Sequence, residues 1–116
     1  MPYYLAGKEM TQQLNDRLRK YGDQSLGKLV CTRSITALSG QGMIDVINAV
    51  REYDDWPESK DPYGEHDYGS FEVNGESYIW KIDYMDPTLT MGCEPSQINN
   101  TAHCRRVLTI MRSDEY

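Results

Sequence analysis

The sequence has no apolar run near the ~20 residues that a membrane-spanning helix needs, so no span is expected. Its opening stretch, MPYYLAGKEM, has no charged segment followed by a long apolar one, so no secretory signal is expected either. Cysteine is scarce: Cys31, Cys93 and Cys104 are odd in number and build no disulfide framework. Free thiols in a reducing, cytoplasmic setting are the simplest expectation. There is a single Phe, so aromatic core area must come from nine Tyr and two Trp, whose polar tips need partners when buried. Neither a G-x-S-x-G nucleophile elbow nor a G-x-x-x-x-G-K-[ST] phosphate loop is present, which removes two common enzyme classes. No repeat or internal linker interrupts the 116 residues. They read as a flexible N-terminal arm over 1–10 and one domain over 11–116.

Basic charge is also in short supply, and it is unevenly placed. Residues 1–51 carry seven basic and four acidic side chains, whereas residues 52–116 carry five and fourteen. The densest cluster, Glu52 to Asp67, has seven acids and one Lys. Nucleic-acid binding rests on neutralising phosphates, so a net charge of −6 argues against it. The same acids suit a protein partner with a basic surface, or simply solubility.

What is present is strong local patterning. Thr11 to Tyr21 reads as a helix, with Leu14, Leu18 and Tyr21 on one stripe, Thr11 as its cap and Asp16 spaced to pair with Lys20. Leu26 to Thr32 reads as a strand. Ser39 to Tyr53 reads as a second helix, capped by Ser39, with Met43, Val46, Ile47, Val50 and Tyr53 as its apolar stripe. Asn74-Gly75 between two β-rich runs predicts a two-residue hairpin turn. That turn pairs Val73 with Glu76, Glu72 with Ser77, Phe71 with Tyr78 and Gly69 with Trp80. Phe71, Tyr78, Trp80, Ile82 and Tyr84 then share one face, and only Ile79 breaks the polarity of the other. Leu89 to Met91 reads as a short strand and Arg106 to Met111 as an interior one. Together these imply an α+β fold: two helices on one face of a mostly antiparallel sheet of about four to five strands.

Several strings are specific enough to carry a resemblance. They are Leu14-Asn15-Asp16, Thr32-Arg33, Ala37-Leu38, the run DPYGEHDYG from Asp61 to Gly69, WKIDY from Trp80 to Tyr84, and RVLTIM from Arg106 to Met111. In these the chain resembles an uncharacterised family of small bacterial proteins, domain-of-unknown-function family 3768. The resemblance covers roughly residues 11–116 and implies a compact domain in a mobile-element (phage or plasmid) setting. It carries over no activity. The segment Met91 to His103 departs most from the family pattern, and no role transfers to Cys93, His103 or Cys104.

The acidic, aromatic segment 52–68 is the first candidate surface. Asp54, Asp55, Trp56, Glu58, Asp61, Tyr63, Glu65 and Tyr68 combine aromatic anchors with a charged rim, as binding faces do. The expected function is a non-enzymatic binding protein, an inhibitor or regulator of a protein partner, with anti-defence activity one form of it. The alternative is a nucleotide-like ligand binder, or a metal or acid–base enzyme. It would use the Glu65-His66-Asp67 loop with Arg33 and Asp83 as further polar groups. Against that stands a structural role, in which Asp61 and Asp67 accept loop amides and His66 ties the loop down. Cys93, His103 and Cys104 with His66 have zinc-type donors but no recognised spacing. Gly40-Gln41-Gly42 at a helix start has amides that can hold a phosphate, with Arg33 to add a fork, but so short a motif reads first as an ordinary cap. No catalytic residue, metal or cofactor is assigned.

Overall fold

The structure, a computed structural model, describes residues 7–116. Residues 1–6 of the expected arm lie outside the described residues. Residues 7–10 belong to the first helix, α1 (Gly7–Tyr21), which starts four residues earlier than Thr11. Thr11 is therefore no cap; it is buried in the helix and its hydroxyl donates to the Gly7 carbonyl at 2.9 Å. The remaining elements are β1 (Gly27–Cys31), a single turn α2 (Arg33–Thr36), α3 (Gly40–Arg51), β2 (Tyr68–Val73), β3 (Glu76–Met85) and β4 (Arg105–Arg112). Ser39 caps α3 as expected, its hydroxyl accepting the Gly42 amide at 3.0 Å.

The sheet order is β1-β4-β3-β2. The α+β class stands, with four strands and a mixed sheet: β2–β3 and β3–β4 are antiparallel, and β1 runs parallel to β4. The parallel pair is possible because everything from α2 to the hairpin lies between its strands in sequence, ample chain for a crossover. The hairpin has the expected register residue for residue. Asn74 and Gly75 both have positive φ (52° and 80°), the backbone of a type I′ turn.

The helices lie on one sheet face. Leu18 of α1, Ile35 of α2, and Val46, Val50 and Tyr53 of and after α3 close over Tyr78, Trp80, Ile82, Leu108 and Ile110. On the opposite face Ile79 pairs with Met111 and both are buried, which accounts for the one apolar residue among polar neighbours. There the C-terminal 3₁₀ turn, Ser113–Glu115, folds against β3, and the Tyr116 ring lies 6.0 Å from that of Tyr68.

Three local expectations are corrected. Tyr21 is 78% exposed, because the inward stripe of α1 runs Thr11, Leu14, Asn15, Leu18 and Arg19. Asp16 pairs with Arg19, not Lys20. Leu89 to Met91 is a bend, not a strand. The Asp86 carboxylate holds the Thr90 amide and the Thr88 and Thr90 hydroxyls, and this local capture displaces ladder bonds. Only a bridge from Met85 to Gly92 remains.

Gly69 shows how closely the hairpin is packed. A Cβ there would lie 2.3 Å from Nε1 of Trp80 and 2.6 Å from Cζ of Tyr53. Gly69→Ala should cost about 1–3 kcal/mol by overpacking. The check is a lowered urea midpoint at an unchanged slope.

Candidate functional site

The segment between α3 and β2 has no helix or strand, yet it is firmly held. Amides of Lys60 and Asp61 donate to the Pro57 carbonyl at 2.9 Å, and the Gly64 amide donates to Asp61 O at 3.1 Å. Gly64 (φ 66°) and His66 (φ 56°) both adopt the left-handed region. That is unusual for His and is compensated by the Asp61 carboxylate, which accepts the His66 amide at 3.1 Å.

The kink aims Glu65 and His66 at different partners. The His66 ring stacks on Trp56 with centroids 3.7 Å apart and planes 7° from parallel. Its Nδ1 lies 2.9 Å from Asp16 Oδ1, and its Nε2 lies 3.7 Å from Asp61 Oδ2. Both ring nitrogens thus face protein carboxylates, and the Trp56 indole covers one ring face. The Glu65 carboxylate accepts the Tyr84 hydroxyl at 2.9 Å, and its carbonyl accepts Asn15 Nδ2 at 3.0 Å.

Two buried arginines complete this network. Arg19 donates Nη1 to the carbonyls of Val50, Arg51 and Tyr53 at 3.0, 3.1 and 3.0 Å, which ties α1 to the C-terminal end of α3. Its guanidinium lies 5.1 Å from the Trp56 ring and 5.5 Å from the Trp80 ring. Arg106 donates Nε to Asn15 Oδ1 at 2.6 Å and Nη1 to the Ile98 carbonyl at 2.8 Å, over the Tyr84 ring. Burial pushes the Tyr84 phenol up and the Arg106 guanidinium down from their ordinary values.

The candidate residues from sequence therefore separate. Trp56, Asp61, Glu65 and His66 gather in one network with α1. Asp67 is half-buried beside Glu65, Asp61 and Asp83, while Asp83 pairs with Lys81 on the face away from the helices. Arg33 begins α2 and shares no hydrogen bond or ion pair with His66, Asp67 or Asp83. Asp54, Asp55, Glu58 and Tyr63 point outward, Tyr63 at 73% exposure, and Tyr68 is half-buried on edge strand β2. Cys93 and Cys104 are adjacent, but His66 is held elsewhere. Among the described residues no three His, Cys, Asp or Glu side chains gather to hold a metal.

Sequence reasoning missed Asn15, Arg19, Tyr84 and Arg106 as a polar unit. The signal was available: Asn15 and Arg19 sit on the helical stripe of Leu14 and Leu18, and Arg106 alternates in phase with Leu108 and Ile110. A separate cleft of about 510 Å³ lies where α1, α3 and the start of β4 meet edge strand β1. It has Lys28, Arg51 and Arg105 on its walls, Leu18, Leu29 and Leu108 among its apolar lining, and no carboxylate.

One pH effect follows from this geometry. Burial first, then the nearby carboxylates of Glu65, Asp61 and Asp83, hold the Asp67 carboxyl above its ordinary value. A carboxyl raised in the folded state favours folding when protonated and opposes it once pH rises through the folded value. Asp67→Asn should therefore raise Tm modestly at pH 7. The gain should vanish as pH falls below the ordinary carboxylate range, as read by melts of both proteins at each pH.

A family model described as "Protein of unknown function (DUF3768)" matches residues 31–115. No curated protein and no solved structure matches the chain.

Proposed function

The chain belongs to this family of unknown function, and from that premise we propose that it is a small non-enzymatic binding protein that holds a protein partner of basic surface through the outward side of residues 52–68. The supporting observation is how the side chains of this segment divide. Trp56, Asp61, Glu65 and His66 are spent on the interior network, while Asp55, Glu58 and Tyr63 face solvent and the exposed Asp54 accepts the Trp56 Nε1 proton at 3.1 Å. A segment already pinned from within loses little freedom on docking, which favours affinity. An exposed Tyr among acids supplies an anchor and a charged rim. Lys60 is the one base in the segment, and it pairs with Asp55 at 3.5 Å. In the mobile-element setting that the resemblance implies, the partner is a cytoplasmic host defence or DNA-binding complex, and this protein its inhibitor or regulator. Nucleic acid itself is not bound by this face, because its charge repels phosphate.

The triple variant Asp54→Lys/Asp55→Lys/Glu58→Lys should keep its circular dichroism. It should capture at least about tenfold less partner from a lysate of the native host, and wild-type capture should fall steeply from about 0.05 to 0.3 M salt. Undiminished capture by the variant would overturn the reading.

A second reading, a small-molecule site, is supported by the basic cleft. A nucleotide-like ligand would set its phosphate against Lys28 and the remaining N–H groups of Arg51 and Arg105, whose other donors bond the carbonyls of Arg19, Lys20, Gln24 and Ser25, above an apolar floor. Nucleotides should then raise the Tm of the wild type, and raise that of Lys28→Glu less. A screen in which none shifts the wild type removes this reading.

A further inference from the structure

Beyond partner binding, two thiols meet where the loop between β3 and β4 rejoins the sheet. Cys93 follows the bridge that joins Gly92 to Met85, and its amide donates to the Tyr84 carbonyl at 3.1 Å. Cys104 immediately precedes β4, with its amide donating to Asn100 O at 3.0 Å. These two anchors bring the Sγ atoms to 3.2 Å, each thiol still free. A disulfide needs about 2.05 Å between sulfurs, so closure draws the two sulfurs about 1 Å nearer.

The two thiols differ in a useful way. Cys93 is half-buried and lines an open surface cavity of about 490 Å³ beside Met91 and His103. Cys104 is 1% exposed and lies behind it. We propose that Cys93 and Cys104 are an oxidisable pair, in which peroxide oxidises Cys93 and Cys104 resolves the product into an intrachain disulfide. The Cys93 thiolate attacks one peroxide oxygen, the O–O bond breaks, and Cys93 sulfenic acid and hydroxide form. The Cys104 sulfur then attacks the sulfenic sulfur, the S–O bond breaks, and the departing hydroxide takes the Cys104 proton as water. Overall two thiols and one hydrogen peroxide give one disulfide and two waters.

Burial and the Cys93 thiol together push the Cys104 thiol up to about 12, which keeps it from meeting oxidant first. Cys31 is a third, distant thiol on β1, raised by burial alone, and serves as an internal reference. The bridge would clamp the 94–103 loop at both ends. That loop supplies the Ile98 carbonyl to Arg106 and Asn99 Oδ1 to the Thr11 hydroxyl.

The test is peroxide titration of the reduced full chain, followed by alkylation in denaturant and peptide mapping. Before oxidation all three cysteines should alkylate. Afterwards only Cys31 should, the chain should be lighter by two hydrogens, and a Cys93–Cys104 linked peptide should appear that dithiothreitol reverses. Pair oxidation should run at least about tenfold faster than oxidation of Cys31. Cys104→Ser should leave Cys93 trappable by dimedone, and Cys93→Ser should leave Cys104 alkylatable after peroxide. Should Cys104→Ser fail to fold, the wild-type map and Cys93→Ser still decide. Three alkylatable cysteines after peroxide, Cys93 over-oxidised with Cys104 free, or dimers through Cys31 would each overturn the proposal.

Discussion

The fold turns on a fully buried cation without an opposing carboxylate. Arg106 is withdrawn from water on β4, and its direct partners are neutral: Asn15 Oδ1, the Ile98 carbonyl, Asn99 Oδ1 and the face of Tyr84. An ionised side chain removed from water is costly unless its donors are met, so each acceptor must be in place at once. Those acceptors come from α1, from the loop before β4 and from β3. One guanidinium thereby requires that the helix, the loop and the sheet centre assemble together. The acids reach it only at one remove, through Glu65 on the Tyr84 hydroxyl.

Arg19 plays the matching part on the other side of α1. It gathers three carbonyls at the end of α3 and sits against Trp56 and Trp80. Between the two arginines runs the acid-rich segment, and its inward residues close the same network. The His66 ring is stacked on Trp56 by one face and flanked by two carboxylates. What the segment turns outward is Asp54, Asp55, Glu58 and Tyr63, carried on a support held from within.

Much of this was legible because its rules are local. The Asn74-Gly75 turn fixes the hairpin register by counting, and with it the burial of Tyr78, Trp80 and Ile82. The Ser39 cap and the stripe from Met43 to Tyr53 define α3 in the same way. The parallel pairing of β1 was not legible, since nothing in Gly27–Cys31 names a partner some eighty residues away. The buried arginines were passed over because charge is ordinarily read as surface, although Arg106 keeps step with Leu108 and Ile110. Of the candidate site, composition located the segment. It could not say which acids turn inward, because that depends on Asn15, Asp16 and Tyr84, contributed from elsewhere in the chain.

The pairing of Leu29 with Leu108 also has a bearing on synthesis. A growing polypeptide emerges from the ribosome with α1 and β1 long before β4 exists. Until β4 is released, β1 has no neighbour to bond with and the hairpin has only itself. Completion of the sheet is thus deferred until β4 has been made, leaving apolar strand surface open meanwhile to holdase chaperones and to mispairing between nascent chains.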